Sequence, residues 1–362
     1  MQPQPCVRAL KYAYALRKAL GGDVSLCMGH IHSTLTELYG HGDEFFDGSV
    51  KLAQGSLDEN VGELVRRFSP DIIHSHNAPD LLTISATRVV ADIPIIHDTH
   101  EALSLRQTGY YVRDGPEEIA KYGDYEKAAN ERSDGRIYVS EGVRDHIQGR
   151  CSTNPDKDLV FHNYVCESIF PQCVRRKRSA IDGSTHIVYI GTLSDQQGDH
   201  YNLLEIFREI ADKGMHIHIY VTRENQAYKE LGDASSFIHY HGHLDRIALL
   251  DELTEYDYGW LGLNEARNKP HVDVAFPNKT LEYISCGLPI LSFPHKTIGG
   301  FIEEHNVGLV FKDADELSEL VQDADIEKLR DNTARIRYQY TIERNIPRLV
   351  QFYAKIIEGE KA

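Results

Sequence analysis

The sequence predicts an α/β protein of two domains built on parallel sheets, and three observations carry this. Short apolar runs rich in β-branched residues alternate with amphipathic stretches of helical period along the chain, which is the pattern of repeated βαβ units. The chain has 362 residues, and domains usually hold about 100–200, so two are expected. A composition break over 167–185, ESIFPQCVRRKRSAIDGST, then separates two series of strand-like runs. It has no apolar period, carries Pro171 and Gly183, and reads as a linker. Its basic run, Arg175, Arg176, Lys177 and Arg178, reads as a solvated face of that linker in an acidic chain.

The first stretch, VRALKYAYALRKALGGDVSL, reads as a helix, a Gly21-Gly22 stop and a strand. A doubly wound domain opens with a strand before that helix, and only MQPQPC precedes it. The first strand is therefore expected to be missing, shortened, replaced or lost to a misplaced start codon. The next strands are DIIHSH at 71–76, PIIHDTH at 94–100, RIYVS at 136–140 and LVFHN at 159–163. Beyond the linker come HIVYIG at 186–191, HIHIYV at 216–221, FIHYHG at 237–242, YGWLGL at 258–263, PILSF at 289–293 and GLVF at 308–311. The helices between them include LDENVGELVRRF, PDLLTISATRVVAD and DRIALLDELTEY, and the last helix is IPRLVQFYAKIIEG. Open parallel sheets bind ligands beyond the carboxyl ends of their strands, so the residues just after each run are the candidates for function.

Composition narrows the classes. With 41% hydrophobic and 26% charged residues the chain is an ordinary globular one. Its net charge of −16 disfavours a non-specific binder of nucleic acid or anionic lipid. No apolar run reaches the roughly 18 residues that span a bilayer, and the N-terminus lacks the apolar core of a signal peptide. The six cysteines form no C-x-x-C pair, which fits a reducing cytoplasm. The nicotinamide G-x-G-x-x-G, the P-loop and the G-x-S-x-G elbow are all missing, so a dehydrogenase, a P-loop enzyme and an α/β-hydrolase are not supported.

The strongest segment is AFPNKTLEYISCGLPILSF at 275–293. Pro277 and Asn278 suit a helix start, and Gly287 ends that helix before the strand PILSF. A helix N-terminus offers free N–H groups and a positive dipole to a phosphate. Lys279 in the first turn opposes that dipole unless an anion joins it. Glu282, about one turn on, can accept hydrogen bonds from a ribose diol. The residues by themselves fit equally well a surface Lys279–Glu282 pair on an ordinary helix. Two further clusters sit at strand ends: His74, His76, Asn77 and Asp80, and Asp98, His100 and Glu101 with Arg106 beyond. They read either as one shared cleft or as satisfied polar residues. His-x-His recurs at His30/His32, His216/His218 and His239/His241. That spacing suits zinc, but no third ligand lies nearby in sequence, so no metal is expected. In VYIGTLSDQQGDHYNLLEIF, Gly191 and Gly198 would let backbone approach a diphosphate.

Together DIIHSHNAPDLL, PIIHDTHE, RIYVSEGVRDHI, LVFHNYVCESIFP, HIVYIGTLSDQQG and PNKTLEYISCGLPILSF resemble the family-4 retaining glycosyltransferases of the GT-B fold. The resemblance runs from about Val7 to the final helix. It implies two Rossmann-like domains facing a cleft, an acceptor-side domain over 1–168, a linker over 169–185 and a nucleotide-sugar domain over 186–345. The helix over 346–362 would pack back on the first domain. It implies a nucleotide sugar as donor and a saccharide or lipid-linked saccharide of a surface polymer as acceptor. No cofactor, nucleic acid or metal takes part. The expected place is the cytoplasm or the inner face of the membrane, with at most peripheral membrane contact. Glu282 matches the family's ribose-binding glutamate and His76 its cleft histidine near the transferred sugar, entered here as the catalytic candidate. Asp98, His100 and Glu101 match the acceptor-side loop. The remaining donor-binding candidates are Asn278, Lys279, Gly191, Thr192 and Arg223.

Three positions depart from the family pattern. Thr192 stands where the family has an arginine, Gln197 where it has a lysine, and Val274 where it has a glutamate, with Asp273 adjacent. Two lost cations at a leaving-group site would each cost on the order of 10²–10³ in rate, so Lys279 and Arg223, after HIHIYV, are expected to replace them at the diphosphate. The same departures leave two other readings open, a non-catalytic sugar-nucleotide or partner-binding protein and a sugar-nucleotide epimerase.

Overall fold

The computed structural model describes residues 4–30, 43–76, 80–109, 114–171, 173–265 and 267–359. The chain divides into two compact units, Met1–Cys166 with Ile342–Ala362, and Glu167–Thr341.

The first unit runs α1 (Gln4–Leu20), β1 (Cys27–His30), β2 (Gly48–Lys51), α2 (Leu57–Phe68), β3 (Ile73–His76), α3 (Leu81–Val89), β4 (Ile95–Thr99), α4 (Pro116–Arg132), β5 (Gly135–Tyr138), α5 (Glu141–Gln148) and β6 (Asp158–Val160). All its strand pairs are parallel. Residues 6–20 hold no glycine or proline and Pro5 sits in the first turn, where a helix tolerates it; the helix stops where Gly21 takes φ +58°. Helix α2 carries Asp58 and Glu59 in its first turn and Arg66 and Arg67 in its last, matching the dipole at both ends. Ile342–Gly359 returns to this unit as a helix that lies on α1, where Tyr14 Oη donates to Glu343 at 3.1 Å.

The sheet of the first unit is in two pieces. Strands β1 and β2 pair with each other, and β3-β4-β5-β6 form a separate ladder. In a continuous doubly wound sheet the strand before the first helix is central, between the positions that β1 and β3 take here.

The second unit runs α6 (Ser179–Asp182), β7 (His186–Gly191), α7 (Leu204–Asp212), β8 (His216–Val221), α8 (Gln226–Asp233), β9 (Ile238–Gly242), α9 (Arg246–Leu253), β10 (Tyr258–Trp260), α10 (Lys269–Val274), α11 (Asn278–Ser285), β11 (Ile290–Ser292), α12 (Lys296–His305), β12 (Gly308–Val310), α13 (Ala314–Asp323) and α14 (Ile326–Ile336). Its six-stranded sheet has the order β12-β11-β10-β7-β8-β9, all parallel. This is the doubly wound order, and its switch point falls between β7 and β10. The core on one face joins Ile187, Tyr189, Phe207, Ile217, Ile219, Trp260 and Phe311. With parallel sheets in both units the chain has two Rossmann-like domains. No helix among the described residues is long and apolar enough to cross a membrane.

Helix α11 lies flat on the sheet because Gly259 leaves room for Tyr283. A Cβ at Gly259 would stand 2.5 Å from the Tyr283 ring, and the Tyr283 hydroxyl donates to the carbonyls of Val188 and Trp260 at 3.3 and 3.1 Å. Gly259→Ala is expected to cost about 1–3 kcal/mol by overpacking. Denaturant titration followed by the fluorescence of Trp260, the single tryptophan, checks this; an unchanged midpoint would contradict it.

The basic run is solvated only in part, with Arg175 and Arg176 exposed and Lys177 and Arg178 half-buried. Arg175 pairs with Glu252 and Glu255, Arg178 pairs with Glu255 at 2.9 Å, and Lys177 donates to the Tyr256 carbonyl at 2.5 Å. The run docks on α9 and the turn after it because that surface is acidic. Burial then lowers Lys177 to about 8. The segment expected as a linker thus forms part of the second unit.

Candidate functional site

In the second unit the candidates meet at the carboxyl ends of β7 and β8 and the start of α11. Gly191 ends β7 with φ +125°, a conformation open to glycine. Thr192 follows, exposed, with Oγ1 3.4 Å from Thr222 Oγ1 beyond β8. Arg223 is the next residue and is exposed. Tyr189 ties this loop to α11: its hydroxyl donates to the Thr192 carbonyl, and the Lys279 ammonium lies 3.9 Å from its ring centroid.

Lys279 is the unusual group. It is 7% exposed in the first turn of α11, and among the described residues no carboxylate lies within ion-pair distance. Burial lowers it to about 7. Burial also raises the Tyr189 phenol well above its usual value, so the ring beneath Lys279 is neutral and offers only a π face. A desolvated cation at a helix N-terminus is a site prepared for an anion.

Glu282, 2% exposed, does not pair with Lys279. Its carboxylate meets the guanidinium of Arg246 at the start of α9. The Lys279–Glu282 pair is thereby corrected: Lys279 turns toward Tyr189, and a partner from another helix takes the carboxylate. Asn278 is half-buried at the first position of α11. Where the family pattern places a glutamate, half-buried Val274 offers no charge. Asp273 accepts from Lys269 Nζ at 3.1 Å, and its carbonyl accepts from Thr297.

Arg267 was not among the sequence candidates. It comes from the loop after β10, on the far side of the switch point, and its Nε would stand 2.7 Å from a Cβ on Gly198. The fold thus places a cation over the loop in which Gln197 replaces the expected lysine. A cation seven residues past a strand has no motif to mark it, and only the strand order brings it here.

In the first unit the strand-end residues of β3 and β4 form one buried network. Asp98 is fully buried; its Oδ2 accepts from Arg8 Nε at 2.9 Å, Tyr12 Oη at 2.9 Å and His74 Nε2 at 3.2 Å. Tyr353 Oη, from the C-terminal helix, donates to His74 Nδ1 at 2.6 Å. His76 Nδ1 lies 3.0 Å from His100 Nε2. Burial pushes the Asp98 carboxyl up, but Arg8 and the histidines around it bring it well below its ordinary range. Burial, reinforced by His74, drives His76 well below the imidazole range, and burial lowers His100 as well. His76 is therefore neutral, with Nε2 as the edge not engaged by His100. Glu101 accepts from Arg106 Nη1 at 3.0 Å. Asn77 and His32 lie outside the described residues. The sequence reading missed Arg8, Tyr12 and Tyr353. The signal for the first two was their i, i+4 spacing, which puts them on one face of α1.

Residues 15–167 match the model of glycosyltransferase family 4, and residues 189–344 match that of the glucosyltransferase 3-like C-terminal domain. No curated protein matches the sequence. Among solved structures, a glycosyltransferase from Rickettsia africae has a TM-score of 0.71 at 12% identity, covering 98% of this chain and 96% of that one. Sucrose-phosphate synthase from Thermosynechococcus elongatus has a TM-score of 0.69 at 14% identity, with 98% and 93% covered. Anabaena HepE in complex with UDP and glucose has a TM-score of 0.65 at 14% identity, with 97% of each chain covered. The two domain matches, on a pair of Rossmann-like units, place the chain in the family-4 glycosyltransferases of the GT-B fold.

Proposed function

We propose that the protein moves a sugar from a nucleotide-sugar donor to a saccharide or lipid-linked saccharide acceptor, with retention of anomeric configuration. The observation that carries the donor half is Lys279, a buried cation without a carboxylate at the N-terminus of α11, where a diphosphate supplies the missing charge. HepE is described with UDP and with UDP-glucose, which makes UDP-glucose the first donor to test. The diphosphate sits against the α11 N-terminus and the Gly191–Thr192 turn. Lys279, Arg223 and Arg267 stabilise its charge as the bond from the anomeric carbon to the phosphate oxygen breaks. The acceptor hydroxyl attacks from the same face, and its proton passes to the leaving phosphate oxygen. Neutral His76 orients the transferred sugar, and His100 and Glu101 face the acceptor. The transfer as proposed takes no cofactor. Incubation with UDP-glucose and saccharide acceptors, with the product's anomeric configuration read by NMR, tests this; an inverted product would exclude retention.

Exposed Thr192 and Gln197 in place of two cations favour a second reading, a protein that binds nucleotide sugar without transferring it. Tight UDP binding with neither transfer nor donor hydrolysis would select it.

Glu282 is assigned to the donor ribose, with Arg246 orienting its carboxylate. A charge-assisted hydrogen bond contributes roughly 1.5–3 kcal/mol, so Glu282→Ala is expected to weaken UDP at least tenfold by calorimetry. A 2′,3′-dideoxy nucleotide should bind both chains about equally. If Glu282 serves only as the Arg246 partner, stability changes and UDP affinity does not.

A further inference from the structure

At the opposite ends of the same strands from the donor site, the second unit gathers histidines. His186 opens β7, His216 and His218 lie in β8, and His239 and His241 in β9. Parallel register sets His186 beside His216 and His218 beside His239. The alternation of side chains puts all five on one face. The rings stack, His186 on His216 at 4.6 Å and 6° between planes, His218 on His239 at 4.5 Å. Each Nδ1 points to an Nε2 on the next strand: His186 to His218 at 2.9 Å, His216 to His239 at 2.9 Å, His218 to His241 at 3.0 Å. That leaves the Nε2 atoms of His186 and His216 at the edge of the ladder. There stands Asp182, the last residue of α6, with Oδ2 3.0 Å from His186 Nε2. Its Oδ1 accepts from the Ser184 N–H at 2.9 Å, and Gly183 at φ +80° turns the chain between α6 and β7. One ligand atom from each of Asp182, His186 and His216 lies within 4.8 Å of the others.

We propose that Asp182, His186 and His216 form a binding site for one divalent transition-metal ion of the zinc class, with water completing its coordination. Two imidazole nitrogens and one carboxylate oxygen suit Zn²⁺, Co²⁺ or Ni²⁺, and not Mg²⁺ or Ca²⁺, which take oxygen. A metal-bound imidazole donates its other N–H to an acceptor that fixes its tautomer. Both ligands have that acceptor in place, His218 Nε2 for His186 and His239 Nε2 for His216, and His218 passes the polarity on to His241. The outer shell is thus built into the sheet. The Asp182 side chain is 45% exposed, which gives the ion a way in from water.

Among the described residues, two other clusters of ligand type occur, and each already holds a cation. Around His74, His76 and Asp98 the carboxylate already holds the buried Arg8 guanidinium. Around Glu265, Asp273 and His295 the Lys269 ammonium sits between both carboxylates, at 2.9 and 3.1 Å. At Asp182 the ion pair is with His186, and no such competitor holds the site. The sequence reading expected no metal because it sought the third ligand beside the His-x-His pairs; Asp182 lies in the stretch read as linker.

The test uses the tag-free full chain stripped with chelator and titrated with ZnCl₂ by calorimetry, with bound metal counted by elemental analysis. One zinc per chain is expected, with no binding of MgCl₂ at the same concentration. Asp182→Asn, at an exposed position that leaves the core intact, and His216→Gln should each weaken zinc at least tenfold. His239→Gln, which touches the metal only through His216, should weaken it roughly 10–100-fold. A chain with His76→Gln and His100→Gln should keep the zinc. Zinc should raise the melting temperature of the unit that holds Trp260 in the wild type and not in Asp182→Asn. Wild-type affinity in both Asp182→Asn and His216→Gln, or loss of the zinc in the His76→Gln/His100→Gln chain, would overturn the proposal. Glu282→Ala leaves zinc binding intact, so failure of the donor site and failure of this site are read separately.

Discussion

Lys279→Ala lowers turnover on the order of 10²–10³-fold, the size of effect seen when one preorganised group is taken from a developing charge. The expectation is large because Lys279 has no carboxylate to fall back on and Tyr189 gives it only a ring face. The same geometry sets a pH dependence. Lys279 without ligand titrates at about 7, and a bound diphosphate favours the ammonium. UDP affinity should therefore fall as pH rises above about 7, by up to tenfold per pH unit for one linked proton. In Lys279→Met the profile should be flat. The sign for folding is opposite. The unfolded lysine keeps its proton to its ordinary value of 10.5, so burying the ammonium costs stability fully below pH 7. That cost disappears as pH rises toward 10.5. Calorimetry of UDP from pH 6.5 to 9 on both chains decides the matter; a flat wild-type profile would sink the assignment of Lys279 to the diphosphate.

Arg8→Leu destabilises the first unit by about 3–5 kcal/mol, the cost of leaving one partner of a buried ion pair alone. The guanidinium does more than neutralise Asp98. Its Nη atoms donate to Phe161 O at 2.6 Å, His162 O at 3.0 Å and Asn163 Oδ1 at 2.9 Å, and all of these acceptors lose a donor at once. Adding Asp98→Asn should recover part of the loss, because the uncompensated charge goes with it. Trp260 lies in the other unit, so unfolding of this one should be followed by circular dichroism or hydrogen exchange, with Trp260 fluorescence as the internal control. A loss below about 1 kcal/mol would mean that Tyr12 and the histidines hold Asp98 by themselves.

The sequence by itself determined what local chemistry can write. The short apolar, β-branched runs such as HIVYIG and HIHIYV, the helical period of LDENVGELVRRF and the composition break over 167–185 were enough for a parallel α/β protein in two parts. The start of α11 was legible because Pro277, Asn278 and Lys279 are neighbours in the chain and a helix N-terminus is a local object. Tertiary structure alone decided the rest. It set the strand order that puts the switch point between β7 and β10 and so brings Arg267 over Gly198. It gave Glu282 to Arg246, turned Lys279 onto Tyr189, and used Arg8 and Tyr12 from the first helix to enclose Asp98 from β4. It turned two separate His-x-His repeats, His216/His218 and His239/His241, with the added His186, into one stacked ladder with Asp182 at its edge, while His30 stayed apart in β1. The physical reason is the same in each case. A strand's own pattern fixes which face a side chain takes, but its neighbour is chosen by register with a segment far away in sequence, and that choice follows from burying the whole sheet at once.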